Sequence, residues 1–208
     1  MPDNLPLDRA APLLGAGITV YTPMKDSYLL ETSGKRIGVA GLGGLGHLAI
    51  KFGKAYGHHV TMLSTSPSKE KDAKELLGAD DFVLTSNEDE MKMRKRSLDF
   101  IVDTLSTKHP IGPYLELLKV NGTLAKVGAP SKPLDFPILP LIYENGEGKH
   151  HRKHKTDSRM DFCGEQDILS DIEIVSTDKT NEAFNRLEKN DARFRFVLDI
   201  TGKSKLEN

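Results

Sequence analysis

The run Gly41-Leu42-Gly43-Gly44-Leu45-Gly46 constrains the fold of this chain more than any other feature. It follows a short apolar stretch, Arg36 to Ala40, and it precedes residues 45–56, where apolar side chains recur at helical spacing. Glycines at the first, third and sixth positions of such a run allow a tight turn and a close approach of the next helix. The sequence therefore predicts a strand, a glycine turn and a helix in immediate succession.

The residues after this turn keep alternating between short apolar runs and helical stretches. Such alternation is typical of βαβ units, whose strands form a parallel sheet. We therefore expect an α/β fold with a doubly wound parallel sheet of the Rossmann type. The further strands are predicted at 60–64, 81–84, 98–103 and 123–127, and the further helices at 68–77 and 112–118.

The character of the sequence changes after the apolar run 136–142. Residues 144–159 are almost without apolar side chains, so this segment cannot bury a face and is predicted to be irregular. Order is expected to resume with a strand at 172–175, a helix at 180–189 and a strand at 194–198. A second structural unit is therefore predicted after the polar segment.

Composition narrows the classes of partner. The 208 residues carry a net charge of -1 with 28% charged side chains, which does not favour binding to nucleic acid. No apolar run reaches membrane-spanning length and no signal peptide is recognisable, so we expect neither a membrane segment nor export. The single cysteine, Cys163, excludes an internal disulfide and fits a reducing compartment, which makes the cytoplasm the expected location.

The glycine turn predicts a binding site for a nicotinamide dinucleotide. Backbone N–H groups and the positive end of the following helix suit a pyrophosphate. The alternative is a turn that only allows the helix to pack on the strand. His47 is predicted to be a surface or pyrophosphate-side residue rather than a catalytic one. The residues expected to contact the cofactor here are Gly41, Leu42, Gly43, Gly44, Leu45 and Gly46.

The end of the second predicted strand indicates which dinucleotide is bound. An NAD-selective protein places a carboxylate there, whereas this chain has Ser64, Thr65, Ser66 and Lys69. Hydroxyl groups and a cation favour the 2′-phosphate of NADP, which a carboxylate would repel. The same residues also suit a helix cap, and the two roles are compatible.

Longer motifs accompany the glycine turn over most of the chain. They are Ala10-Ala11-Pro12-Leu13-Leu14, Ala16-Gly17-Ile18-Thr19-Val20-Tyr21, Gly57-His58-His59-Val60, Leu98-Asp99-Phe100-Ile101-Val102-Asp103-Thr104 and Arg193-Phe194-Arg195-Phe196. With these motifs the chain resembles the plant cinnamyl alcohol dehydrogenases of the zinc-dependent medium-chain dehydrogenase superfamily. The resemblance implies interconversion of cinnamaldehyde-type aldehydes and their alcohols with NADP(H), a catalytic zinc and a structural zinc.

The resemblance also implies roles for single residues and a domain organisation. It places Ser64, Thr65, Ser66 and Lys69 in the family's 2′-phosphate pocket. It adds the cofactor-binding residues Thr104, Val127, Gly128 and Ala129, of which the last three match the nicotinamide-side loop. The implied organisation is a remnant of the catalytic domain with a linker at 1–32, the dinucleotide-binding domain at 33–143, an irregular polar segment at 144–170 and a second catalytic-domain remnant at 171–208.

Departures from the family bear on activity. The family's N-terminal catalytic domain has no counterpart in this chain, and Gly15 stands where the family has a cysteine as third ligand of the catalytic zinc. A zinc alcohol dehydrogenase needs three protein ligands, so we expect cofactor binding without zinc and assign no catalytic residue. One alternative is a catalytically inert partner that forms a homo-oligomer or pairs with full-length homologues. Another is an oxidoreductase that transfers hydride without zinc.

His150, His151 and His154 form one further cluster. His150 and His154 have the i, i+4 spacing of some zinc sites, but the neighbouring lysines and arginines repel a cation. The run also lacks the interleaved aromatic residues of a nucleic-acid patch, so a solvated loop is the preferred interpretation. Cys163 has no accompanying catalytic or ligand residues and is expected to be a packed thiol.

Overall fold

The larger sheet has five parallel strands in the order β3-β2-β1-β4-β5. The chain is described here from a computed structural model that covers residues 2–135, 157–189 and 191–200. Because the chain returns from one edge of the sheet to its middle between β3 and β4, the order reverses beside β1. The doubly wound parallel sheet predicted from the sequence is confirmed. The strands are β1 Arg36–Ala40, β2 His59–Ser64, β3 Asp81–Leu84, β4 Leu98–Asp103 and β5 Leu118–Lys126.

Helices cover both faces of this sheet. Side chains alternate along each strand, so in β4 Phe100 and Val102 pack with α3 on one face, whereas Ile101 packs with α4 and α5 on the other. The described helices are α1 Leu7–Pro12, α2 Ile18–Asp26, α3 Gly46–Ala55, α4 Glu88–Met93, α5 Gly112–Leu115, α6 Asp157–Glu165 and α7 Thr180–Glu188. Short 3-10 segments occupy Pro67–Lys69 and Thr177–Lys179, and π-helical segments occupy Leu13–Gly17 and Asp72–Leu76.

A second, two-stranded sheet follows in the C-terminal part. Its parallel strands β6, Ile172–Ser176, and β7, Arg195–Asp199, are connected through α7. Buried side chains of the N-terminal segment, such as Leu13 and Met24, share one apolar core with Phe194 and with the α3 side of the large sheet. The two terminal segments therefore pack on the same face of the Rossmann-type sheet.

Several predicted elements differ from the observed ones. The helix expected at 68–77 is a 3-10 segment followed by a π-helical one, and the helix expected at 112–118 ends at Leu115. It ends there because β5 begins at Leu118, five residues before the predicted start of that strand. Leu118 pairs with Leu98 of β4. Helix α4 was not predicted, although Asn87 caps it by accepting hydrogen bonds from Asp89 N and Glu90 N.

The segment 144–170, expected to be irregular, contains helix α6. Met160 and Cys163 lie one turn apart on this helix and are buried in the core, so the apolar side chains that start at residue 160 are enough to anchor it. Cys163 is a buried thiol packed in the core, as expected. The apolar run 136–142 and the cluster His150, His151 and His154 lie outside the described residues.

No helix in the described part of the chain is both long enough and apolar enough to cross a membrane.

The contact between α3 and the sheet leaves no room for a side chain at Gly53. A Cβ there would lie 2.8 Å from Cγ2 of Val60, which is fully buried. We expect Gly53→Ala to lower the free energy of unfolding by about 1–3 kcal/mol, although alanine favours helices, because overpacking outweighs that gain. Urea denaturation measures the change.

Gly15→Ala is the matched control, because Gly15 is also helical and a Cβ there meets nothing within 4 Å. It should leave stability unchanged or raise it by up to about 1 kcal/mol. If Gly53→Ala is as stable as Gly15→Ala, α3 is not packed as closely as described.

Candidate functional site

The glycine turn lies at the carboxyl end of β1, where the strand order reverses. Gly41 leaves β1 with φ +90, a conformation that favours glycine. A Cβ on Gly46 would lie 1.9 Å from the carbonyl oxygen of Gly41, so only glycine allows α3 to start this close to β1. The first and the sixth residue of the run are therefore required by the turn itself.

Neighbouring strands hold the turn in place. Gly41 N donates a hydrogen bond to the carbonyl of Leu63 at the end of β2, at 3.1 Å. The Thr104 hydroxyl, just after β4, lies 2.7 Å from the Ala40 carbonyl and 3.1 Å from that of Gly41 and donates to them. The turn is thus fixed from both sides at the edge where ligands bind in such sheets.

Two adjoining clefts, of about 440 and 520 Å³, open beside the turn. Gly41, Leu42, Gly43 and Gly44 line both of them, together with Leu105, Leu187 and Phe194. The first cleft is further lined by Leu63, Ser64, Thr65, Ser66, Lys69, Tyr114 and Ala192. The second is further lined by Leu45, Thr104, Ser106, Thr107, Arg195 and Phe196.

The structure thus brings together most residues predicted to bind a cofactor. Gly46 lies behind the turn, where it is buried. Val127, Gly128 and Ala129 are not among the lining residues. Instead, the backbone N–H groups of Val127 and Gly128 donate to the Asp103 carbonyl, at 2.9 and 3.0 Å, so this loop supports the end of β4.

The two clefts are electropositive. Their described lining residues include the cations Lys69 and Arg195 but no carboxylate. Within the described part of the chain, neither cation forms an ion pair, and Arg195 Nε donates a 3.1 Å hydrogen bond to the Gly44 carbonyl. Burial lowers the pKa of Arg195, but a guanidinium stays protonated at neutral pH. Two positive charges are therefore available to an anionic ligand.

The hydroxyl groups at the end of β2 are not used as a helix cap. Ser66 stands at the cap position of the 3-10 segment, but its side chain accepts no capping hydrogen bond. Ser66 N donates instead to the hydroxyl of Ser64 at 3.1 Å. Thr65 and Ser66 are exposed at the cleft, so their hydroxyl groups face solvent.

A buried carboxylate positions the loop on the other side of the clefts. Asp103 is fully buried at the end of β4 and accepts hydrogen bonds from Leu105 N at 3.0 Å, from Lys126 Nζ at 3.2 Å and from the His109 ring at 2.9 Å. These bonds fix the start of the loop that carries Leu105, Ser106 and Thr107. This cluster was not predicted from the sequence.

The contribution of the C-terminal segment was not predicted from the sequence. Leu187, Phe194 and Arg195 line the clefts, although Arg195 follows Gly44 by 151 residues. The arginine- and phenylalanine-rich motif at 193–196 could have indicated Phe194 and Arg195, but not Leu187. The prediction for His47 needs correction: this side chain is fully buried, not at the surface, because Phe194 and Ser170 cover it.

No group of three or more histidine, cysteine, aspartate or glutamate side chains in the described ranges is arranged to hold a metal ion.

Fold and turn together define the class of the protein, a Rossmann-type α/β domain with a glycine turn at the switch point of the sheet. The model of the zinc-binding dehydrogenase family matches residues 44–151. The chain belongs to this family.

Relatives within the family include cinnamyl alcohol dehydrogenases and mannitol dehydrogenases. A probable cinnamyl alcohol dehydrogenase from Oryza sativa subsp. japonica is 55% identical over 212 residues, which cover 99% of this chain and 59% of that protein. The structure of a cinnamyl alcohol dehydrogenase from Sorghum bicolor matches with a TM-score of 0.89 and 47% identity, over 100% of this chain and 59% of the other. The structure of the enzyme from Helicobacter pylori complexed with NADP(H) matches with a TM-score of 0.83 and 33% identity, over 96% of this chain and 57% of the other. The chain thus spans less than two thirds of the length of these relatives.

Two glycines of the turn should differ strongly in their response to substitution by alanine. Gly46→Ala places a Cβ against the Gly41 carbonyl and should lower the free energy of unfolding by about 3 kcal/mol or more, because backbone has to move. Gly43→Ala meets nothing within 4 Å and should change it by less than about 1 kcal/mol. Chemical denaturation of both variants is the measurement, and equal losses would contradict the described turn.

Proposed function

We propose that this chain binds NADP(H) in the two adjoining clefts and is the cofactor-binding part of a cinnamyl-alcohol-dehydrogenase-like oxidoreductase. The observation that carries the proposal is the composition of the clefts. The glycine turn lines both clefts, and Ser64, Thr65, Ser66 and Lys69 line one of them. The described walls of this depression hold two cations and no carboxylate. A dinucleotide with an additional phosphate matches such a depression in charge.

The pyrophosphate is proposed to bind over Gly43 and Gly44. Gly43 is open to the cleft, with nothing within 4 Å of a Cβ position, so phosphate oxygens can approach the backbone closely. The N-terminus of α3 adds the positive end of a helix dipole. The guanidinium of Arg195, beside Gly44, is placed to form charge-assisted hydrogen bonds to the same group.

The 2′-phosphate is proposed to bind at the end of β2. Ser64, Thr65 and Ser66 offer hydroxyl groups there, and Lys69 offers a cation that no described carboxylate neutralises. The Helicobacter pylori relative complexed with NADP(H) supports this choice of cofactor. Thr104 and the loop formed by Val127, Gly128 and Ala129 are proposed to support the nicotinamide side, through the bonds that fix the ends of β1 and β4.

The bound cofactor would supply hydride to an aldehyde or accept it from the alcohol, the reaction implied by the names of the relatives. The residues of this chain would bind and orient the dinucleotide and exclude water from it. We propose that the chain carries no resident catalytic zinc, since Gly15 stands at the position where the family has a cysteine ligand. It would then hold the cofactor without turning over substrate.

A second candidate function is that of an inert partner that dimerises with itself or with full-length homologues. The β6–β7 sheet has only two strands among the described residues, and Leu198 and Ile200 near its end are exposed by 42% and 84%. Light scattering of the chain, alone and mixed with a full-length homologue, separates the two candidates, because a stable mixed dimer favours the second.

Cofactor choice should depend on Lys69. We expect wild-type protein to bind NADPH more tightly than NADH, and Lys69→Glu to weaken NADPH binding at least tenfold, about 1.4 kcal/mol, because a carboxylate repels the 2′-phosphate. NADH binding should change by less than about twofold. Titration of the cofactor fluorescence measures each Kd.

Lys71→Glu is the matched control for charge. Lys71 lies two residues further on, its side chain is 79% exposed and it lines neither cleft. This variant should bind both cofactors with wild-type affinity, within about twofold. Equal or tighter binding of NADH by the wild type would overturn the assignment of NADP.

The zinc proposal is tested on the purified, dialysed chain. We expect less than about one tenth of a zinc ion per chain by atomic emission, and no aldehyde-dependent oxidation of NADPH, because three ligands and an open position are required for zinc catalysis. One tightly held zinc per chain, or turnover that chelators abolish, would contradict the proposal.

A further inference from the structure

The buried histidine at the start of α3 joins the glycine turn to the C-terminal segment. Nδ1 of His47 lies 3.0 Å from the Gly43 carbonyl oxygen, and Nε2 lies 3.1 Å from the Ser170 hydroxyl. The ring stacks on Phe194, with centroids 4.8 Å apart and planes 11° apart. Both ring nitrogens and one ring face therefore contact other groups of the protein, and the side chain is inaccessible to solvent.

These contacts fix the protonation of the ring. A carbonyl oxygen can only accept, so Nδ1 carries the proton that is donated to Gly43, and the neutral ring then accepts at Nε2 from the hydroxyl of Ser170. Burial lowers the pKa of His47 to about 4. The nearby cations Lys51 and Arg195 also lower it, whereas the bond to Gly43 and the charge of Asp171 oppose the shift. His47 is consequently neutral at physiological pH.

The bond to Gly43 sets the orientation of a peptide unit that lines the clefts. The Gly43 carbonyl accepts two hydrogen bonds from His47, one from the backbone N–H at 3.1 Å and one from the ring. In a trans peptide the C=O and the following N–H point in opposite directions. With the carbonyl held toward α3, the N–H of Gly44 points out of the N-terminal end of the helix, where the clefts open.

We propose that His47 is a positioning residue for the dinucleotide, which holds the Gly43–Gly44 peptide so that the Gly44 N–H donates to the pyrophosphate. The proposal rests on the cofactor binding proposed above. The N–H at Nδ1 holds the peptide in place. The hydrogen bond that Nε2 accepts from Ser170 selects the tautomer in which Nδ1 carries the proton. Because its side chain is fully buried, His47 would contact neither the cofactor nor the reacting atoms.

Residues of the C-terminal segment hold Ser170 and Phe194 against the ring of His47. Lys51, one turn after His47 on α3, donates to the Leu169 carbonyl at 2.8 Å and pairs with Asp171 at 2.7 Å, so it anchors the residues on both sides of Ser170. Phe194 covers the ring and excludes water from it. The orientation of a peptide in the N-terminal half is therefore set by residues more than 100 positions later.

Two amide substitutions separate the two ring nitrogens. In His47→Asn the side-chain NH₂ takes the place of Nδ1 and still reaches Gly43, whereas in His47→Gln it reaches the place of Nε2 and Ser170. We expect the Kd of His47→Asn for NADPH to lie within about threefold of the wild-type value. His47→Gln should bind NADPH at least about tenfold more weakly, because it loses the hydrogen-bond donor to Gly43 and the peptide is then free to rotate. If His47 were needed only for packing, both substitutions should weaken NADPH binding to a similar extent.

His58→Gln is the control for loss of a buried histidine. His58 is 2% exposed, and its Nε2 donates a hydrogen bond to the Leu29 carbonyl at 2.8 Å. It lies beyond the C-terminal end of α3, away from the clefts. It should lose stability but keep the wild-type Kd for NADPH. Thermal unfolding of all variants shows that binding is measured on folded protein.

NMR of uniformly ¹⁵N-labelled protein gives a second readout. His47 should show a protonated Nδ1 and an unprotonated Nε2, without titration between about pH 5 and pH 8, and the Gly44 amide signal should shift when NADPH binds to the wild type. Equal affinities of the Asn and Gln variants, or a proton on Nε2 of His47, would overturn the positioning role while leaving cofactor binding intact. Failure of the wild type itself to bind NADPH would overturn the proposed function instead.

Discussion

The approach of Gly46 to the carbonyl of Gly41 determines how the rest of the site is built. Only because position 46 lacks a Cβ can helix α3 begin directly behind the end of β1. This places the unpaired N–H groups of the first helical turn at the carboxyl edge of the sheet. The ends of β2 and β4 lie at the same edge, since all five strands are parallel. A groove with backbone donors in its floor and side chains of two further strands in its walls follows from that one contact.

The second feature on which the site depends is the return of the chain to the turn. Residues of the C-terminal segment reach the glycine turn at Gly44, through Arg195, and at His47, through Ser170 and Phe194. The N-terminal and C-terminal segments share their core with α3, so these contacts belong to a packed unit. The walls of the clefts are thus formed by parts of the chain that are far apart in sequence, and residues of the C-terminal segment help to hold the glycine turn.

Local patterns predicted the sheet and the turn because both are encoded within a few residues. The strands are apolar runs bounded by glycine or polar residues, and the glycine spacing requires one particular turn. Helix α4 also had a local signal, the Asn87 cap, that was not used. By contrast, the burial of His47 depends on Ser170, which is 123 residues away, and no local pattern contains that contact. Arg195 and the early start of β5 likewise depend on partners distant in sequence.

A crystal structure of the chain grown with NADP⁺ tests cofactor binding at the glycine turn most directly. It should show the pyrophosphate against the N–H groups of Gly43 and Gly44 and the 2′-phosphate within hydrogen-bond distance of the side chains of Ser64, Ser66 or Lys69, with both clefts filled. Cofactor bound elsewhere, or a cofactor in the clefts with its 2′-phosphate directed away from Lys69, would contradict the assignment.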